Sequence, residues 1–68
     1  MISKVELGRR IRDARLQKGM TLKQLDQLSG FSATHISEIE RGKTSPTIGA
    51  LVRVAAALGR EPSYFIEE

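Results

Sequence analysis

The residues with the most chemistry to offer lie in one short run, FSATHISEIERGK, at positions 31–43. If the run is helical, each residue turns the chain by about 100°. Ile36 and Ile39 then sit about 60° apart and define an inward stripe. Thr34, Ser37, Glu38 and Arg41 fall on the opposite face, with Ala33 on its border. That face offers hydroxyls that donate or accept, a carboxylate that only accepts, and a guanidinium that only donates. Such a mixture suits hydrogen-bond reading of a polar partner. Glu40 comes out beside the inward stripe instead. Arg15 has the same kind of place beside Ile11 and Ala14 further up the chain. An unpaired charge at the flank of a core is costly.

The flanking sequence points to an anionic partner. Through Arg60 the chain carries all 11 of its Lys and Arg residues and five acids, and Glu61, Glu67 and Glu68 supply the other three. The net charge of +3 therefore hides a basic body and an acidic end. Each Lys or Arg laid on a phosphate releases condensed counterions, so a polyanion fits this balance. An ordinary solvated surface is the plainer alternative. Cysteine is absent and His35 is the single histidine. This excludes disulfides and thiolate sites, fits a reducing setting, and leaves no metal or cofactor to expect. One His, and acids occupied by pairing or by the chain end, argue against an enzyme, as does a bundle too small for a pocket. No apolar run reaches membrane-spanning length, and MISKVELGRR lacks a signal-peptide block. A cytoplasmic, nucleoid-associated protein with no membrane contact is the expectation.

A small helical bundle must position the reading face. The 68 residues make one domain, 1–68, near the lower limit for a core without staples. No stretch alternates with period two, and the β-branched residues recur at helical spacing. Five helices are expected. The first runs from about Val5 to Lys18, with Leu7, Ile11 and Ala14 inward, and stops at Gly19. Thr21 caps the second, which carries Leu22, Leu25 and Leu28 and closes at Ser29-Gly30. Ser32 caps the third, from Ala33 to about Arg41, with Gly42 as its stop. After a polar loop at 43–46, Thr47 caps a fourth helix bearing Ile48, Leu51, Val54, Ala55 and Leu58, ended by Gly59. Pro62 opens a last turn in which Phe65 and Ile66 close the core. Only Ser29-Gly30-Phe31-Ser32 joins helices two and three, as in a helix-turn-helix spanning about residues 21–41. Gly30 suits a positive φ there, and Phe31 tucks under the turn.

Across residues 7–66 the chain resembles the Cro/C1-type (XRE-family) helix-turn-helix domains of phage repressors and bacterial regulators. The resemblance rests on LGRRIRDARLQKGMT, LKQLDQLSGFS and THISEIERGKTSPTIGALVRVAAALG. It implies an all-α, compact five-helix bundle of the phage-repressor-like type. It also implies that the third helix enters the major groove of double-stranded DNA, usually as a homodimer. It further implies that Arg15 pairs with Glu40 as a structural salt bridge tying helix one to helix three; two separately solvated charges are the alternative.

In such a motif the N-terminal part of the third helix meets base edges. Ser32, Ala33, Thr34, Ser37 and Glu38 occupy those positions. Ala33 and the Thr34 methyl suit a thymine methyl, and Glu38 accepts from a cytosine N4 amino group or simply stays solvated. Without Arg or Gln at 33 or 34 there is no bidentate reader at the tip, so shape gains weight. Phosphate contacts are expected from Thr21 and Lys23 at the start of helix two, and from Arg41, Lys43, Thr44 and Ser45 after helix three. His35, to one side of the outward face, is a further phosphate candidate.

Three positions depart from the family pattern. Leu22 replaces a frequent phosphate-binding Gln. Asp26 replaces a favoured Ala and must be accommodated by a hydrogen bond or by opening of the helix pair. Arg60 replaces a usual Val and is expected to send its guanidinium to solvent. The leading function is a sequence-specific, repressor-like transcription regulator. The alternatives are a protein-interaction module on the same fold, using Leu16 or Tyr64, and an antitoxin or controller in a two-gene system. The chain is either a complete minimal regulator or the N-terminal part of a longer one with a C-terminal sensor domain.

Overall fold

Four hydroxyl side chains start the four longer helices by accepting backbone N–H groups that a helix leaves unpaired. In the computed structural model, which describes residues 2–68, they begin α1 (Lys4–Gln17), α2 (Leu22–Ser29), α3 (Ala33–Glu40) and α4 (Ile48–Ala57). Met1, the first residue of the expected domain, lies outside the described residues. Ser3 accepts from Glu6 N–H at 3.1 Å, and Ser32 from His35 N–H at 3.1 Å. Thr47 accepts from Ala50 N–H at 3.1 Å. Thr21 and Gln24 form a reciprocal capping box, with distances of 3.0 and 2.8 Å. A single turn, α5 (Ser63–Ile66), completes the chain. The described residues contain no strand, and none of their helices is long and apolar enough to cross a membrane.

Every helix contributes to one core. Ile11 and Ala14 come from α1, Leu25 from α2, and Ile36 and Ile39 from α3. Leu51, Val54 and Ala55 come from α4, Leu58 from its cap, and Phe65 from α5. α3 packs against both α1 and α2, while α4 lies on α2 and α5 on α1. α3 is therefore held on two sides by elements that it does not itself specify.

Gly8 marks the place where α1 passes α3. A Cβ at Gly8 would press on Ile39 O and lie 2.8 Å from Glu40 O. Both are backbone atoms and cannot swing aside. Ala gains up to about 1 kcal/mol over Gly in a helix interior, but the clash outweighs it. Gly8→Ala is expected to lose about 1–3 kcal/mol through overpacking. The measure is the urea midpoint at unchanged m-value; an unmoved midpoint would show that the two helices part freely.

Several apolar residues turn out differently from the helical stripes. Leu28 is 64% exposed and Ile48 84% exposed, so neither belongs to the core. Leu28 is in the last turn of α2, beside the open groove lined by Gly30, Arg53 and Ala56. Ile48 is the first residue of α4, ahead of the part that packs. Phe65 is fully buried while Ile66 stays half exposed, because a single turn aims only one of two adjacent side chains inward. The helix ends also shift slightly: α1 begins at Lys4 and stops at Gln17, and Arg41 caps α3 from outside.

On the outer side of α1, Arg9 and Arg10 flank Glu6. Their hydrogen bonds, Arg9's foremost, hold the Glu6 carboxyl down at about 2 from an ordinary 4.5. Arg9 also meets Asp13 at 2.6 Å. The exposed Arg9 pairs contribute little stability. The consequence of all these pairs is electrostatic: two of the chain's cations already have carboxylate partners. Arg10 also donates to the carbonyls of Phe65 and Glu67, which fastens α5 to α1.

Candidate nucleic-acid interface

The turn between α2 and α3 is built around Gly30, which caps α2 with φ 82°. A side chain would be strained in that left-handed region, which glycine enters without cost. Gly30 N–H donates to Asp26 O at 2.8 Å, and Phe31 N–H donates to Ser29 Oγ at 3.2 Å. Phe31 packs against the core from a half-buried position. Its ring centre lies 5.9 Å from that of His35, and the Arg53 guanidinium of α4 stands 4.8 Å above it. Asp26 is accommodated across the same turn: its Oδ2 accepts from Ala33 N–H at 3.0 Å. The helix pair therefore need not open to admit this carboxylate.

Behind the polar face of α3, Arg15 and Glu40 meet as a fork. Arg15 Nε donates to Glu40 Oε2 at 2.7 Å and its Nη2 to Oε1 at 2.9 Å. The side chains are 9% and 4% exposed. Arg15 Nη1 donates to Met20 O at 2.8 Å, which brings the end of the α1–α2 connection, just ahead of the Thr21 cap, into the same arrangement. Among the described residues no buried side-chain N or O atom lacks a hydrogen-bond partner. The Glu40 hydrogen bonds raise the Arg15 pKa beyond its already high value. Arg15 thus remains a cation, and its charge is spent inside the protein.

The outward face of α3 is polar, as helical geometry requires. Ser32 and Thr34 are exposed, while Ala33, Ser37 and Glu38 are partly so. Ser32 Oγ already accepts the His35 N–H, so toward a partner its hydroxyl acts chiefly as a donor. Thr21 is in the same situation through Gln24 N–H. Lys23, Arg41, Lys43 and Ser45 are exposed; Thr44 and His35 are half-buried. Lys43 N–H donates to Glu38 O at 3.0 Å, which folds the start of the loop back onto the last turn of α3. Arg41 Nε reaches Ser37 O at 3.3 Å. Among the described residues, no carboxylate lies within ion-pair distance of Lys23, Arg41 or Lys43.

Some contributors lie outside the sequence expectations. Gln24 completes the capping box, and its T-x-x-Q spacing after Met20 is a readable signal. Arg53 over Phe31 has none, because it comes from another helix. Arg60 does not simply enter solvent: its guanidinium lies 4.4 Å above the Tyr64 ring and donates to Gln17 Oε1 at 3.2 Å. A Tyr one turn further on offers an aromatic face, and a planar cation gains by covering it.

Comparisons with known proteins agree with this geometry. A helix-turn-helix family model (HTH_3) matches residues 11–65. The uncharacterized HTH-type transcriptional regulator y4dJ of Sinorhizobium fredii is 42% identical over 45 residues, which is 66% of this chain and 58% of that protein. The restriction-modification controller protein C.AhdI of Aeromonas hydrophila superposes with a TM-score of 0.88 at 31% identity, over 91% of this chain and 94% of that one. The P22 c2 repressor, solved in complex with a synthetic operator, gives a TM-score of 0.84 at 31% identity, over 90% of this chain and 92% of that one. The chain spans 58%, 28% and 58% of three curated relatives it matches, less than two thirds of each. The family model takes in α2, α3 and the turn between them along with most of the core, and the chain belongs to the helix-turn-helix (HTH_3) family.

Proposed function

We propose that this chain binds double-stranded DNA sequence-specifically as a repressor-like transcription regulator, with α3 in the major groove. The observation that carries the reading is the outward face of α3. It is polar from Ser32 to Glu38 and is flanked by exposed Lys23, Arg41 and Lys43. In this reading Ser32, Ala33, Thr34, Ser37 and Glu38 meet base edges. Thr21, Lys23, His35, Arg41, Lys43, Thr44 and Ser45 meet phosphates. Two copies bind the two halves of a symmetric site. Arg15 and Glu40 keep α3 in place without touching DNA.

Selection of bound duplexes from a random pool tests this, run with the unaltered chain and with Glu38→Ala. The unaltered chain should return a two-fold symmetric motif. Glu38→Ala should relax the preference at one base pair in each half-site, by about 1–3 kcal/mol of discrimination. An unchanged motif would remove Glu38 from the readers and leave it a solvated carboxylate. Failure to bind any duplex at low salt would turn attention to protein docking, for which half-exposed Leu16 and Tyr64 are available.

A further inference from the structure

Both ends of the turn between α2 and α3 are tied to one residue. The Asp26 carbonyl holds Gly30 N–H at 2.8 Å, and the Asp26 carboxylate holds Ala33 N–H at 3.0 Å. Ala33 is the first residue of α3, and exposed Thr34 follows it at the tip of the polar face. α2 and α3 pack on one another and share the apolar core through Leu25 and Ile36, but apolar packing is non-directional and leaves small rotations cheap. A hydrogen bond to a charged acceptor is directional and roughly twice as strong as a neutral one. Ser32 Oγ takes the His35 N–H, so the carboxylate adds a second anchor to the first turn of α3. On its other side the turn is held by Phe31, under the Arg53 guanidinium.

We infer that Asp26 is a positioning residue for DNA reading: its carboxylate, bonded to Ala33 N–H, sets where Ala33 and Thr34 meet the base edges. The inference rests on the proposal that α3 enters the major groove. Asp26 also opposes attraction to DNA. Its negative charge lies at the N-terminus of α3, the end that in this reading approaches the polyanion. Asp26 thus trades general affinity for placement of the tip.

Three proteins separate these effects: the unaltered chain, Asp26→Asn and Asp26→Ala. Asn retains an acceptor for Ala33 N–H and removes the charge. Ala removes both, and it is the residue that similar domains favour at this position. Affinities are measured for the selected duplex and for an unrelated one. Asp26→Asn should bind both duplexes more tightly and keep their ratio. Asp26→Ala should lower the ratio about tenfold, comparable to one base contact. A ratio unchanged in Asp26→Ala, whatever its thermal stability, overturns the proposal. So does Asp26→Asn losing the ratio as fully as Ala, since charge and not the hydrogen bond would then matter.

Residual dipolar couplings of the free proteins give a readout that needs no DNA. The first turn of α3 should reorient or broaden relative to α2 in Asp26→Ala and stay put in Asp26→Asn; identical couplings in all three overturn the clamp. If the unaltered chain binds no duplex at low salt, the proposed function fails, while these couplings still decide whether Asp26 fixes the tip. Should Asp26→Ala not fold, Asp26→Ser, whose hydroxyl is too short to span the turn, takes its place in both measurements.

Discussion

Glu40→Ala is expected to lose about 3–5 kcal/mol, the cost of removing one partner from a buried ion pair. Domains hold only about 5–15 kcal/mol in total, so this one substitution consumes most of the margin of a bundle this small. The cause is the Arg15 guanidinium. Without Glu40 it keeps its charge and one hydrogen bond to Met20 O, in a position that water scarcely reaches. Removing both charges together, as Arg15→Met with Glu40→Leu, should restore most of the loss, because the desolvation cost disappears along with the attraction. Urea denaturation of the two single variants and the double variant forms a cycle that measures the coupling directly. A loss below about 1 kcal/mol in Glu40→Ala would place the pair in the class of solvated surface bridges, against its burial. The pair holds α1 against α3, so its loss should loosen the reading helix before the rest of the bundle.

The second large effect concerns affinity. Replacing Lys23, Arg41 and Lys43 together by Ala should reduce the slope of log K against log salt by about three, roughly 0.9 for each phosphate contact. At 0.1 M salt this amounts to about two to three orders of magnitude in affinity relative to 1 M. The loss should be uniform across sequences, because phosphate contacts position the protein without reading bases. Stability should change little, since all three side chains are exposed and no carboxylate among the described residues pairs with them. Glu38→Ala is the opposite case, altering preference at one base pair while leaving the salt slope alone. A triple variant with an unchanged slope would show that these cations do not face phosphate. Arg9, Arg10 and Arg15 are poor substitutes in that role, because their guanidinium groups are committed to Glu6, Asp13 and Glu40.

How far the sequence carries can be judged from single residues. Thr21, Ser32 and Thr47 are legible as caps, because a cap needs only a hydroxyl a few residues from its N–H. Ser3 does the same at the start of α1, two residues ahead of the expected start at Val5, and is not among the expected caps. The directions of Ile36, Ile39, Glu38 and Glu40 are also legible. All four lie on one short helix, and their angles follow from the helical turn alone. The two carboxylates of FSATHISEIERGK are therefore told apart by local geometry. The partner of Glu40 is not, since Arg15 lies 25 residues away in the chain; a family resemblance supplies it, and the fold brings the two together.

Local periodicity by itself determined an all-helical chain, its turns and the polar face of α3, because those depend on interactions between residues within a turn or two of one another. It could not decide which sides of those helices would be covered. Leu28 and Ile48 fit their stripes yet stay exposed, and only one of the adjacent Phe65 and Ile66 is enclosed. Only the tertiary structure decided these, together with the bond from Asp26 to Ala33 and the stacking of Arg53 on Phe31 and of Arg60 on Tyr64. A helical pattern gives the angle of a side chain about its own axis. Whether that side chain meets a partner depends on how the axes cross, and the crossing is set by packing of the whole bundle.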